Sequence, residues 1–154
     1  MKVAIGSDHG GVDLKTNLIK HLNNAGYEVV DVGCNSHDSV NYAPYAERVC
    51  RKVLSEECKL GILVCGTGIG MSISANKIKG IRAACCSDYF SAKYTRLHND
   101  ANVLCIGARV IGYGLASEIV DVFLETEYEG GRHQKRLDEI SRLENGESLI
   151  VTAD

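Results

Sequence analysis

Leu60-Gly61-Ile62-Leu63-Val64-Cys65-Gly66-Thr67-Gly68-Ile69-Gly70 reads as an apolar strand that breaks into a turn with three glycines and restarts as a helix. An unbroken apolar run of this length suits a strand buried on both faces, as in a parallel sheet covered by helices. The same strand-then-helix unit recurs on either side of it. Upstream, residues 2–7 form a strand, and Leu14, Leu18, Ile19, Leu22 and Ala25 follow at helical spacing before Gly26. A strand over 27–32 and a helix over 42–57 come next, with Pro44 in the first turn, where a missing N–H costs nothing. Downstream, the pattern predicts a helix over 69–77, a strand over 81–86, a helix over 88–97 and a strand over 103–106. Leu115, Ile119, Val122 and Phe123 mark another helix, and Leu137, Ile140 and Leu143 mark the last, about 132–144, before a short C-terminal tail. Alternation of this kind requires right-handed crossovers between parallel strands. The expected fold is therefore α/β: one domain over 1–154, a three-layer α/β/α sandwich with a Rossmann-like five-stranded parallel sheet.

The chain has 154 residues, 45% hydrophobic and 24% charged, with a net charge of −3. A domain of this size buries roughly 70% of the surface its unfolded chain exposes, so its core needs no metal or disulfide staple. The near-neutral charge carries no basic patch for nucleic acid. No stretch reaches the ~18 apolar residues of a membrane span, and Met1-Lys2 runs directly into the first strand, so a cytoplasmic location is expected. Seven cysteines, at 34, 50, 58, 65, 85, 86 and 105, form no Cys-x-x-Cys pair and read as free thiols in a reducing compartment. No clustered His, Asp and Glu set is legible, so neither a metal nor another cofactor is expected.

In open parallel sheets ligands sit beyond the carboxyl ends of the strands. Three segments are expected to converge there: Asp8-His9-Gly10-Gly11, Cys65 through Gly70, and His98-Asn99. Gly66-Thr67-Gly68-Ile69-Gly70 can turn several backbone N–H groups toward a ligand oxygen beside a positive helix end. It lacks the spacing of a dinucleotide fingerprint and the Gly-Lys-Ser/Thr of a P-loop. Cys65 borders this cradle, a setting in which thiols ionise more readily, and suits a general base or a covalent nucleophile. The other thiols lack such flanks and read as small core residues. Asp8-His9 could meet sugar hydroxyls or a phosphate, or simply cap the first helix. Arg132 and Arg136, within Gly130-Gly131-Arg132-His133-Gln134-Lys135-Arg136, share a helical face that suits a phosphate, and Arg109 can reach the same rim. His21 and His37 receive no role.

Taken together, these blocks resemble the ribose-5-phosphate isomerase B family, which includes allose-6-phosphate and galactose-6-phosphate isomerases. The likeness runs from Met1 to about Glu144. It rests on Gly6-Ser7-Asp8-His9-Gly10, on Cys65 through Gly70 with Ser74-Ala75-Asn76-Lys77, on His98-Asn99-Asp100-Ala101-Asn102, and on Gly130-Gly131-Arg132-His133-Gln134. The resemblance implies an intramolecular oxidoreductase, a metal-independent aldose–ketose isomerase acting on ribose 5-phosphate and ribulose 5-phosphate. Cys65 would be the base, Thr67 would assist protons between O1 and O2, and His98 with Asp8 would open the furanose ring. Gly66, Gly68, Ile69 and Gly70, with Asn99, would hold the enediolate, while Tyr42 would lie near the sugar. His9, Arg109, Arg132 and Arg136 would hold the phosphate, and His133 would be a further substrate-binding residue. The resemblance also implies a homodimer or tetramer with sites shared between subunits. Asn41-Tyr42-Ala43 departs from the Asp-Tyr-Pro of many members. Cys65 and the Gly-Gly-Arg-His block argue against the galactose-6-phosphate subunits. Allose 6-phosphate is the rival substrate. A non-catalytic module binding a phosphorylated metabolite, and a redox-sensing Cys65, are the rival roles.

Overall fold

The computed structural model describes residues 1–150, so the last four residues of the expected tail lie outside the described residues. Chain order is β1 (Lys2–Ser7), a 3-10 turn at His9–Gly11, α1 (Val12–Asn24), β2 (Glu28–Asp31), α2 (Ala43–Leu54) and β3 (Leu60–Cys65). It continues through α3 (Ile69–Ala75), β4 (Ala83–Cys85), α4 (Tyr89–Asn99), β5 (Val103–Gly107), α5 (Tyr113–Glu125), a 3-10 turn at Gly131–His133 and α6 (Gln134–Glu144). The strands form one parallel sheet in the order β2-β1-β3-β5-β4, as the alternation predicted.

Period-2 alternation sends the side chains of the central strands to two separate cores. Val3, Ile5, Ile62, Val64, Leu104 and Ile106 pack with α1 and α5 on one face. Ala4, Leu63, Cys65, Val103 and Cys105 pack with α2 and α3 on the other. Because α1 carries the chain from β1 outward to β2, and α2 brings it back past β1 to β3, the strand order reverses between β1 and β3. The crevice at such a reversal is where these folds hold ligands.

Several boundaries differ from the periodicity, each for a local reason. The second helix stops at Leu54 instead of 57 because Glu56 takes a left-handed conformation, φ 61°. The fourth strand shrinks to three residues because the Arg82 N–H donates to the Asn102 side chain at 2.8 Å before the ladder begins. Gly130 and Gly131, both at positive φ, turn the chain so that Arg132 lies in the 3-10 turn and α6 starts at Gln134, two residues later than expected.

Candidate functional site

Cys65 is the last residue of β3 and is 5% exposed. Its Sγ accepts a hydrogen bond from the Gly68 N–H at 3.1 Å, so the glycine turn folds back over the thiol. Gly68 holds φ at 79°, where a Cβ is strained, and from there caps α3. The Thr67 hydroxyl accepts from the Ile69 N–H at 3.2 Å. Asp8, buried at the end of β1, accepts from the Gly10 N–H at 2.9 Å, and its own N–H donates to the Val64 carbonyl. Gly11 packs so closely that a methyl there would stand 2.6 Å from the Val64 oxygen. His9 Nδ1 accepts from the Val40 N–H at 3.1 Å, which leaves the ring proton on Nε2. Tyr42 lays its ring against Gly70, and the Arg109 guanidinium lies over Gly66 while the backbone N–H of Arg109 donates to the Gly66 carbonyl at 2.9 Å. Asp8, His9, Tyr42, Cys65 through Gly70 and Arg109 therefore gather around one crevice; the strand-end argument expects this of Asp8, His9 and Cys65 through Gly70, whereas Arg109, grouped in the sequence with Arg132 and Arg136, packs on Gly66 instead of sharing their depression.

His98 and Asn99 do not join them within the chain. They end α4, which runs antiparallel to the strands, so they lie beside the starts of β4 and β5. Arg82 Nε donates to the Asn99 carbonyl at 3.0 Å. In register, Cys65 stands level with Gly107 and Ala83 with Val103. Four residues at ~3.3 Å and two strand spacings of ~4.8 Å place Cys65 roughly 16 Å from Ala83, the end of the sheet beside which Asn99 lies. The expectation of a single convergence fails because the end of a crossover helix faces the opposite edge of the sheet from the strand end before it.

A second constellation stands at that opposite edge. The rings of His98 and His133 stack with centroids 4.1 Å apart and planes 17° from parallel, and Tyr94 meets His98 edge-on at 5.0 Å. Arg132 and Arg136 line an exposed depression with Gly131 and Lys135. Burial pushes the His133 pKa down, and the neighbouring His98 and Arg132 push it the same way. Glu129 Oε2 lies 3.6 Å from the Nε2 of each histidine. The sequence displays no clustered ligand set, yet His98, Glu129 and His133 come together here, from residues 31 and 4 positions apart. Glu129 carried no local signal.

Lys15 was also missed. It is fully buried in α1, and its Nζ donates to both Asp31 oxygens, at 2.8 and 2.7 Å, and to Asn35 Oδ1 at 2.8 Å. Asp31 in turn accepts from the Gly33 N–H, so this network ties down the start of the loop that carries Val40 and Tyr42. His21 and His37 meet only carboxylates, Asp121 and Asp13.

A family profile described as Ribose/Galactose Isomerase matches residues 3–140. The chain belongs to that family. It is 49% identical to ribose-5-phosphate isomerase B of Escherichia coli over 143 residues, covering 93% of this chain and 96% of the relative. A putative sugar phosphate isomerase of Bacillus subtilis is 55% identical over 145 residues, with 94% and 97% covered. Among solved structures, ribose-5-phosphate isomerase B of Clostridium thermocellum superposes with a TM-score of 0.93 at 48% identity, covering 95% and 99% of the two chains. The Mycoplasma genitalium enzyme, solved with bound ribulose-5-phosphate, gives 0.89 at 42% identity, with 94% and 96% covered. The resemblance, the fold and the isomerase class read from the sequence are thereby borne out. No helix among the described residues is long and apolar enough to cross a membrane.

Proposed function

We propose that this member of the ribose/galactose isomerase family interconverts D-ribose 5-phosphate and D-ribulose 5-phosphate through a cis-enediol, as a cytoplasmic homodimer of the pentose phosphate pathway. The observation that carries the reading is a thiol at the sheet's reversal point under a cradle of backbone N–H groups. Moving a proton between C1 and C2 needs a base for a weakly acidic C–H and donors for the oxyanion that forms. Cys65 supplies the first and the Gly66 to Gly70 turn the second, at adjacent positions. A positioned base contributes about 10²–10⁴-fold, and oxyanion donors usually contribute more. Thr67 carries protons between O1 and O2, and Tyr42 closes over the sugar.

His98 opens the furanose ring, and Asp8 assists from the other group of residues. Within one chain these stand too far apart to touch one substrate, so the second subunit completes each site. In an isologous pair, His98, Asn99, Arg132, His133 and Arg136 of one copy face the Cys65 crevice of the other. Arg132 and Arg136 take the phosphate, with His9 and Arg109 on the opposite wall.

Incubating ribulose 5-phosphate with the protein in heavy water tests the reading directly. NMR should show ribose 5-phosphate deuterated at C2, and Cys65→Ala should lower kcat by at least about 10²-fold. Unchanged turnover in that variant would remove Cys65 as the base.

A further inference from the structure

We propose that Lys15 is a positioning residue for the isomerase site: from inside α1 it clamps the loop over residues 32–42 that seats His9 and Tyr42 for the sugar phosphate. The substrate side of this inference rests on the proposed function. Lys15 shares the sheet-facing stripe of α1 with Leu18 and Leu22, and all three are fully buried. Helical patterning calls for an apolar side chain at such a position. Taking an ammonium and its carboxylate partner out of water costs about as much as their attraction returns, and well-packed apolar replacements are often as stable or more so. Stability alone therefore does not account for a lysine here, whereas the direction of its hydrogen bonds does.

All three donors of the ammonium are used, on Asp31 Oδ1 at 2.8 Å, Asp31 Oδ2 at 2.7 Å and Asn35 Oδ1 at 2.8 Å. Asp31 ends β2 and Asn35 lies four residues further on, so one buried group holds both arms of the turn between them. Asp31 Oδ1 also accepts from the Gly33 N–H at 2.9 Å. A Cβ on Gly33 would stand 3.0 Å from Lys15 Cδ and 2.5 Å from the Ser7 nitrogen, so the turn is pressed between the lysine stem and the end of β1. The Cys34 N–H donates to the Ser7 carbonyl at 2.9 Å, directly before Asp8 and His9.

Past Asn35 the loop has neither helix nor strand until α2. Among the described residues, its further hydrogen bonds to the rest of the chain are the exposed His37–Asp13 pair and the Val40 N–H on His9 Nδ1 at 3.1 Å. An exposed pair holds little. The place of Asn35 thus sets where Val40 meets His9, and so which ring nitrogen of His9 carries the proton, as well as how Tyr42 lies over Gly70. A loop held in its binding conformation before the substrate arrives lowers the ordering cost of binding. Cys65 and its cradle stand on β3 and α3, outside the loop, so loosening it weakens substrate binding while proton transfer continues.

Two variants test this. Asn35 is exposed, so Asn35→Ala cuts the tie to the loop while the Lys15–Asp31 pair and the fold remain, which thermal melting checks. It should raise KM for ribulose 5-phosphate at least about fivefold with kcat within about twofold of wild type. Nitrogen-15 NMR of the His9 ring at pH 8.5 should show a single Nε2–H tautomer in the wild type and a mixture in Asn35→Ala. Lys15→Met combined with Asp31→Leu should melt above Lys15→Met alone yet keep the raised KM. A wild-type KM or an unaltered His9 spectrum in Asn35→Ala would overturn the positioning role. So would a KM that recovers with the melting temperature in the double variant, which is the mark of a purely structural pair. A wild type that binds but does not turn over ribulose 5-phosphate would overturn the proposed function, and loss of the single His9 tautomer in Asn35→Ala would still uphold the clamp.

Discussion

Two inactive variants of this chain should restore one another when mixed. The first is Cys65→Ala, which removes the base but leaves His98 and the arginines intact. The second combines His98→Asn with Arg132→Ala, which disables the opposite edge of the sheet but leaves Cys65 intact. A general acid or base acts within about 3 Å of its proton, and the roughly 16 Å between the two edges of one chain is beyond any side-chain adjustment. If each site takes one edge from each copy, a mixed dimer has one site with both edges broken and one with both intact. Random pairing makes half the dimers mixed, so about a quarter of all sites are intact, and a quarter of wild-type activity should return. Each parent should retain about 1% or less, given the 10²–10⁴-fold a positioned base contributes. Both parents should fold. Cys65→Ala loses one sulfur hydrogen bond, about 1 kcal/mol of the 5–15 kcal/mol typical of a domain, and Arg132 is exposed. The assay is ketose formation after equimolar co-refolding, compared with each parent refolded alone. A mixture no more active than the mean of its parents would refute the shared site and, with it, the role of His98 across the subunit boundary.

Gly70→Ala separates sugar contact from stability, because the new methyl meets the Tyr42 ring at 2.8 Å while Tyr42 is 45% exposed and free to swing away. Helix propensity should stabilise the variant by about 0.5–1 kcal/mol, read as a higher Tm, while KM rises. Gly68→Ala should instead lower the urea midpoint by the equivalent of about 2 kcal/mol, since its φ of 79° is strained for Ala and its Cβ meets the Ile106 backbone at 2.9 Å. Lys15→Met should cost about 3 kcal/mol by leaving the Asp31 carboxylate unpaired, with the loss moderated because Asp31 is 29% exposed; adding Asp31→Leu should recover part of it. Burial pushes the Cys50 thiol up to about 11 and the Cys86 thiol up to about 12, so both stay protonated at pH 8. Peptide mapping after iodoacetamide should find these two unmodified in the native protein, with labelling appearing only on denaturation.

The buried run of β3, the glycines that follow it and the strand-helix alternation are local patterns, and periodicity reads them because it reports which faces are covered. Five parallel strands, three layers and the pairing of Cys65 with its own cradle were therefore legible from residue order alone. Right-handed crossovers also placed Asp8 and Arg109 at the same edge as Cys65. Tertiary structure decided the rest. The order β2-β1-β3-β5-β4 set the reversal beside Cys65, and the antiparallel course of α4 carried His98 and Asn99 to the far edge. It also stacked His98 on His133 against Glu129, and buried Lys15 against Asp31. Periodicity states that a face is buried, while the partner it meets depends on loops and crossings that bring distant residues together. Cys65 and its cradle are contiguous in sequence, so the sequence revealed them; the histidine pair and its carboxylate meet only when the chain has folded.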